Sequence, residues 1–226
     1  KIFLHVHNSD LGELEINGIS AQISSVNLYH KTGKIPVSYT NENKQLKLEW
    51  PSYLNDEAVS IIELRGAEGY SVEKTPVQYS NGSIEFNCWA MEVHGDKAYP
   101  HYDGYQNRLR MLNWTDPKEY LSADIRIEQA GEFQLSLIYG ASLGEKGNEF
   151  LPGVPKTAGN KYSVEIGNHT LTAEIQNTGN SNVPTPVKVG TVNIDKPGTY
   201  TFILKPVDDG NWTEFRFQGV EMKLID

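Results

Sequence analysis

Hydrophobic and polar residues alternate along most of the chain with a period of two. The alternation is clear at Leu46, Leu48 and Trp50, and it recurs over residues 121–127 and 133–139. Strands with one buried face produce this pattern, because successive side chains point to opposite faces of a sheet. No segment shows a convincing helical period. The pattern therefore predicts an all-β chain of antiparallel strands.

Turn-forming residue pairs separate the alternating segments, as at Gly167-Asn168 and Pro197-Gly198. Short strands with turns every 8–12 residues or so are typical of β-sandwiches and barrels. The parity of the alternation slips between Phe217 and Val220, and Gly219 lies at the slip. A glycine at such a slip predicts a β-bulge.

A polar, turn-rich stretch divides the chain into a short part and a long part. We predict two antiparallel, jelly-roll-like β-sandwich domains in tandem, over residues 1–68 and 83–226, joined by a linker over residues 69–82. A sandwich of about 68 residues has a thin core, so we expect it to lean on a neighbour. Because the chain opens directly on a strand pattern, we also expect it to be a fragment of a longer polypeptide.

Composition and charge narrow the possible functions. The 226 residues carry a formal net charge of −9, and no basic patch is visible, so nucleic acid is a poor candidate partner. No apolar run approaches the length of about 18 residues that a membrane-spanning helix needs, so no membrane partner is expected. The single cysteine, Cys88, excludes an internal disulfide and a multi-cysteine zinc site. It lies inside a predicted strand over residues 84–91, where we expect a buried hydrophobic residue rather than a nucleophile.

No motif for catalysis stands out. The chain lacks the serine-nucleophile and phosphate-binding glycine motifs, and its histidines pair with no recognisable nucleophile. Asp208 and Asp209 precede Gly210, which is typical of a solvent-facing turn. A glycosidase needs two carboxyl groups about 5–9.5 Å apart in a cleft, and nothing marks such a pair. We therefore expect no catalytic residue.

Aromatic residues of the larger part are the more informative candidates. Tyr102, Asp103 and Tyr105 lie in a segment that looks like a loop, and Trp114 and Trp212 follow. Sugars stack their C–H faces on aromatic rings, while carboxylates and amides bind the hydroxyls. These five residues are the candidate carbohydrate-binding set. The alternative is that the rings cap the core, which we consider the better interpretation for Trp114 and for a further residue of this part, Trp89.

The small part resembles the C-terminal β-sandwich of the α-L-fucosidase family of retaining glycoside hydrolases. The order and spacing of five segments carry this resemblance: residues 2–7, 12–19, 26–29, 48–51 and 58–64. In that family the sandwich follows a catalytic (β/α)₈ barrel. The resemblance implies that the catalytic residues lie upstream, and no position of this chain corresponds to them.

The larger part looks like a carbohydrate-binding-module-like β-sandwich of the kind appended to fucosidases and sulfatases. The segments that carry the resemblance are residues 114–122, 130–133, 162–167, 171–179, 190–194, 196–201 and 220–224. Related modules often hold a structural calcium with a Glu-x-Glu on the first strand. Here the matching residues are Glu85 and Asn87, so an amide replaces one carboxylate. A calcium ion at Glu85 and Asn87 is therefore possible only with further oxygen ligands.

Taken together, the resemblances imply the non-catalytic C-terminal part of a secreted or periplasmic α-L-fucosidase. Its partners would be a glycan or oligosaccharide and the upstream barrel of the same chain, and the larger sandwich would hold the enzyme near its substrate. Two alternatives stay open. The sandwiches could be purely structural, packing on the barrel or a partner subunit, or the chain could be an enzyme complete in itself.

Overall fold

The computed structural model describes residues 1–7, 11–42, 44–55, 59–66, 70–104, 108–144 and 156–225. Within these residues the regular structure is strands and two short 3-10 turns, with no α-helix. The chain divides into two compact units, Lys1–Lys74 and Thr75–Asp226, called unit 1 and unit 2 below. The division falls inside the stretch 69–82 that the sequence predicts as a linker. None of the described residues forms a helix with the length and apolar character needed to cross a bilayer.

Unit 1 is built from two antiparallel sheets and a short strand pair. One sheet has the order β1-β8-β4-β5, the second has the order β2-β7-β6, and β3 pairs with β9. The alternating residues of both sheets form its core, in which Leu28, Leu46, Leu48, Ile62 and Leu64 are fully buried. The strands are β1 (Ile2–Val6), β2 (Glu13–Asn17), β3 (Ile19–Ser20), β4 (Ile23–His30), β5 (Gly33–Pro36), β6 (Ser38–Glu42), β7 (Gln45–Glu49), β8 (Ser60–Gly66) and β9 (Ser71–Val72), with a 3-10 turn at Ser52–Leu54.

Glu63 of unit 1 is a buried carboxylate surrounded by cations. Its side chain is 0% exposed, and it binds Lys34 and pairs with Arg65 at 2.9 Å and Lys1 at 3.3 Å. The ammonium of Lys34 holds the pKa of Glu63 well below its usual range, at about 2, and Arg65 and Lys1 act in the same direction. A buried charge is tolerated only when it is paired in this way. Glu63 therefore ties β8 to β5 and to the start of the chain.

Unit 2 is a sandwich of two antiparallel sheets with an additional hairpin. The sheets have the orders β10-β20-β15-β18 and β11-β14-β19-β16-β17, and β12 pairs with β13. Inward-facing residues of both sheets share one large core. The strands are β10 (Ser83–Asn87), β11 (Glu92–His94), β12 (Tyr99–Asp103), β13 (Arg108–Leu112), β14 (Tyr120–Ile127), β15 (Gly131–Gly140), β16 (Lys161–Ile166), β17 (His169–Glu174), β18 (Thr185–Ile194), β19 (Gly198–Pro206) and β20 (Arg216–Ile225), with a 3-10 turn at Cys88–Ala90.

The predicted bulge on the last strand is confirmed. Ile138 of β15 lies opposite Gly219 of β20, but the next residue, Tyr139, lies opposite Phe217. Gln218 is therefore the extra residue, and Phe217 and Val220, three positions apart, are both fully buried. Any Cβ at Gly219 would come within 2.6 Å of the carbonyl oxygen of Phe86, so the neighbouring strand requires glycine here.

Cys88 is buried, as predicted, but it does not lie in a strand. Strand β10 ends at Asn87, and Cys88 begins the 3-10 turn that follows. Burial raises the pKa of the Cys88 thiol to about 12. A thiol with so high a pKa is protonated at neutral pH and is a poor nucleophile.

Candidate functional site

A buried carboxylate fixes the segment that leads into the hairpin β12–β13. Glu119 Oε1 accepts hydrogen bonds from the backbone amides of Asp96 at 2.7 Å and Lys97 at 2.6 Å, and its Oε2 accepts from Ala98 at 3.1 Å. Glu119 itself is buried. Hydrogen bonds from amides to an ionised carboxylate are among the stronger ones in proteins. Residues 96–98, which lie directly before β12, are thereby fixed to Glu119, which lies directly before β14.

The 3-10 turn after β10 presents Trp89 to solvent. The side chain of Asn87 caps this turn, because its Oδ1 accepts a hydrogen bond from the backbone amide of Trp89 at 3.0 Å. Trp89 is 58% exposed although its neighbour Cys88 is fully buried. Within the described residues the indole Nε1 of Trp89 makes no hydrogen bond. This ring is therefore available to an external partner, which corrects the interpretation of Trp89 as a core-capping residue.

Trp89 and Tyr102 form an exposed aromatic pair. Their ring centroids lie 5.9 Å apart at an interplanar angle of 49°. Tyr102 is 46% exposed. Contiguous exposed apolar surface often marks a binding site. Trp89 and Tyr102 are called the aromatic pair below.

The sequence predicts a loop at Tyr102 and Asp103, but both residues lie on a strand. Both belong to β12, where Tyr102 lies opposite Leu109 and Asp103 opposite Arg108. Pro100 within the segment conceals the strand in the sequence, since proline is tolerated only where a strand has an unpaired edge. The third predicted residue of this segment, Tyr105, lies outside the described residues.

The opposite face of the hairpin carries a second pair of rings. Tyr99 and His101 lie 6.4 Å apart in an edge-to-face arrangement, and both are exposed. Side chains at alternate positions of a strand share a face, so Tyr99 and His101 face away from Tyr102. The hairpin therefore presents aromatic surface on both of its sides.

Trp114 and Trp212 belong to the core and its edge. Trp114 is 0% exposed, and its Nε1 donates a hydrogen bond to the carbonyl oxygen of Glu119. Its ring has no face for a sugar, so the prediction of Trp114 as a binding residue is wrong. Trp212 is half-buried, packs edge-to-face on Trp114 at 5.7 Å, and donates through Nε1 to the carbonyl oxygen of Trp114. No ring contact among the described residues joins Trp212 to the aromatic pair.

The two residues predicted to hold calcium lie on the outer face of β10. Glu85 lies directly opposite Glu221 of β20. Glu221 pairs with the ammonium of Lys223 at 2.7 Å, and this contact raises the pKa of Lys223. Asn87 already uses its Oδ1 to cap the Trp89 turn. Calcium takes six to eight oxygen ligands. This donor set does not fit a calcium cage, and no group of three His, Cys, Asp or Glu among the described residues could hold a metal ion.

One histidine contacts a serine on the outer face of unit 2. His94 Nε2 lies 2.7 Å from Ser122 Oγ, and Glu92 Oε2 lies 3.9 Å from the same nitrogen. In a catalytic triad the carboxylate binds the other ring nitrogen and thereby orients the imidazole. The arrangement of Glu92, His94 and Ser122 therefore differs from a triad. The chemistry that unit 2 offers most clearly is binding by exposed rings.

Comparison with known proteins gives a likeness in fold. No protein-family model and no curated protein sequence matches the chain. An α-L-fucosidase from Vibrio sp. strain EJY3 is similar over 98% of this chain with a TM-score of 0.62 and 14% identity. The Cry4Aa toxin from Bacillus thuringiensis is similar over 93% of this chain and 43% of its own, with a TM-score of 0.51 and 9% identity. A family 35 carbohydrate-binding module from Clostridium thermocellum covers 62% of this chain and 96% of its own, with a TM-score of 0.47 and 9% identity.

The predicted all-β fold and the resemblance to an α-L-fucosidase are confirmed at the level of fold. The chain spans 37% of the length of that fucosidase. A fold shared between a glycosidase and an insecticidal toxin does not by itself determine function, which depends on the residues of the site.

Proposed function

We propose that the chain is a glycan-binding accessory part of a larger glycoside hydrolase related to α-L-fucosidases, and that the aromatic pair binds the glycan. The observation that carries this proposal is the contact between two exposed rings, Trp89 and Tyr102, with centroids 5.9 Å apart. The sandwich provides the rigid support, since Asn87 fixes the turn that holds Trp89 and Glu119 fixes the start of the hairpin that holds Tyr102.

The chemistry of the pair suits a saccharide. Aromatic faces bind the C–H faces of a sugar ring, and the Nε1–H of Trp89 can donate to a hydroxyl. Asp103 follows Tyr102 on the same strand, but because successive side chains alternate, it shares the face of Tyr99 and His101 and not that of the aromatic pair. Because the pair is open to solvent, much of the sugar would stay hydrated, and we expect weak affinity.

The catalytic residues would then lie in another part of a longer protein. A (β/α)₈ barrel upstream would cleave the substrate, and the chain would raise the local concentration of glycan around it. A glycan substrate outside the cell fits a secreted or periplasmic protein. The net charge of −9 is compatible with neutral carbohydrate and unfavourable for nucleic acid.

The test is calorimetric titration of the 226-residue chain against fucosylated oligosaccharides and against plant and mucin polysaccharides. We expect at least one to bind, and we expect Trp89→Ala and Tyr102→Ala each to weaken that binding by about tenfold or more. Tyr53→Ala is the matched control, because Tyr53 is an exposed ring in unit 1. A chromogenic fucoside should not be hydrolysed by the chain alone.

Two results would contradict the proposal. A well-folded chain that binds none of these glycans would support the purely structural role. Binding that is unchanged in both Trp89→Ala and Tyr102→Ala would place the glycan elsewhere.

A further inference from the structure

A cavity with a mixed polar and apolar lining lies at the other end of the unit 2 sandwich. It is formed by the turn between β16 and β17 and the turn between β18 and β19. Strand β14 runs between the two ends of the sandwich. Its first residue, Tyr120, pairs with β11 near the hairpin β12–β13, and its last residue, Ile127, pairs with Gly198 near the cavity. Seven residue steps of an extended strand separate these two ends by roughly 23 Å. The cavity is therefore separate from the aromatic pair.

The size of the cavity suits one small polar ligand. Its volume is about 260 Å³. This is the space of about nine water molecules and lies below the range of roughly 300–1,000 Å³ that is usual for sites of drug-sized ligands. Its polar lining consists of Asn168, His169, Asn193, Asp195, Lys196 and the phenol of Tyr200. One pyranose ring with its hydroxyls matches this space.

Several of these groups are held in place before any ligand binds. Tyr200 donates its hydroxyl proton to the carbonyl oxygen of Lys196 at 2.7 Å, and Gly167 packs so closely on the ring that a Cβ there would lie 3.2 Å from it. Asn193 Nδ2 donates to Asp195 Oδ1 at 2.6 Å. Preorganisation of this kind lowers the entropy cost of binding.

Other groups keep their hydrogen-bonding capacity. Within the described residues the side chains of Asn168 and His169 make no hydrogen bond, although both line the cavity. An amide, an imidazole and a carboxylate beside a tyrosine ring are the groups that recognise hydroxyls and a C–H face together. The lining holds one carboxylate, Asp195, and one ammonium, Lys196, so it has no excess charge for an ionic ligand.

We propose that this cavity is a second carbohydrate-binding site, specific for a single neutral monosaccharide residue such as the end or a branch of a glycan. A half-open cavity of this size admits one sugar unit, whereas the aromatic pair lies exposed on the surface. With both sites occupied, unit 2 would hold two glycan chains at opposite ends, and the avidity for a multivalent surface would exceed that of either site.

The experiment is a titration of the ¹⁵N-labelled 226-residue chain with D-galactose, L-fucose, D-mannose and N-acetyl-D-glucosamine, followed by amide chemical shifts. At sugar concentrations up to the order of 100 mM, which suffices for millimolar affinity, at least one should shift the amides of residues 167–169 and 193–196. Asn193→Ala and His169→Ala should each weaken this response by about tenfold. Thr191→Ala, at an exposed position of β18, the strand that carries Asn193, should leave this response unchanged.

The same spectra separate this proposal from that of the aromatic pair. Trp89→Ala should leave the response of residues 167–169 and 193–196 intact, even where it weakens glycan binding at the aromatic pair. No shift at these residues with any of the four sugars would overturn the proposal. So would a response that persists unchanged in both Asn193→Ala and His169→Ala, each checked for native amide dispersion.

Discussion

The carboxylate of Glu119 occupies the space that a side chain on Gly95 would need. A Cβ at Gly95 would lie 2.5 Å from Oε1 of Glu119, which is too close for any real contact. The same oxygen accepts the amides of the two following residues, Asp96 and Lys97. The carboxylate can therefore bind the segment before β12 only because residue 95 is a glycine.

The change Gly95→Ala should destabilise unit 2 and weaken glycan binding together. The added methyl group forces the carboxylate away from the amides, and overpacking of this kind costs about 1–3 kcal/mol. Since the segment leads directly into β12, Tyr102 should lose its position beside Trp89. Urea unfolding and calorimetric titration measure the two effects.

The control for this prediction is Gly104→Ala. A Cβ there would lie 3.7 Å from the Tyr102 ring, which is an ordinary contact, so stability should change little. Equal stability of Gly95→Ala and the unchanged chain would show that Glu119 does not hold the segment as described.

Unit 1 should lose stability at acidic pH through Glu63. Because the pKa of Glu63 is lowered from 4.5 to about 2 by Lys34, Arg65 and Lys1, its charge stabilises the folded state fully above pH 4.5. That contribution disappears progressively as the pH falls from 4.5 to about 2. Glu63→Gln should be less stable at neutral pH and should show a weaker dependence on pH in this range. Urea titrations followed by the amide signals of β4 and β8 report on unit 1 alone.

The comparison variant is Glu49→Gln, at an exposed position of β7 in the same unit. It should keep the pH dependence of the unchanged chain. If Glu63→Gln keeps that dependence as well, the surrounding cations do not stabilise the carboxylate.

Cys88 should resist thiol reagents in the folded protein. Burial raises its pKa to about 12, and the side chain is fully buried, so both the thiolate fraction and the access of the reagent are low. Labelling with an aromatic disulfide at about pH 8 should be slow in buffer and stoichiometric in urea. Rapid labelling without urea would contradict the buried position.

The strands of the sandwich were predictable because burial on one face imposes an alternation that is visible in the sequence. This held for β14, β15 and β19, and for the bulge beside Gly219. The hairpin β12–β13 was not predictable in the same way. Tyr99, His101 and Tyr102 are all exposed, so its first strand has no apolar alternation to detect.

The candidate site shows where reasoning from the sequence stops. Residue type alone does not distinguish Trp89 from Trp114 as a candidate binding residue, yet Trp89 is exposed and Trp114 is fully buried. The distinguishing signal is local: Asn87 stands two residues before Trp89 and caps a turn that directs the ring outward. The cavity at the other end joins residues 166–169 with residues 193–196 and 200, which lie far apart in sequence, and only the strand pairing brings them together.

The most direct test of the account follows the indole N–H signals of the four tryptophans during titration with a glycan that binds. Trp50, Trp114 and Trp212 each donate Nε1–H to a protein oxygen, whereas the Nε1 of Trp89 makes no hydrogen bond within the described residues. We expect the Trp89 signal, assigned with Trp89→Phe, to move to saturation while the Trp114 signal stays in place. A Trp89 signal that remains still when the glycan is saturating would contradict it.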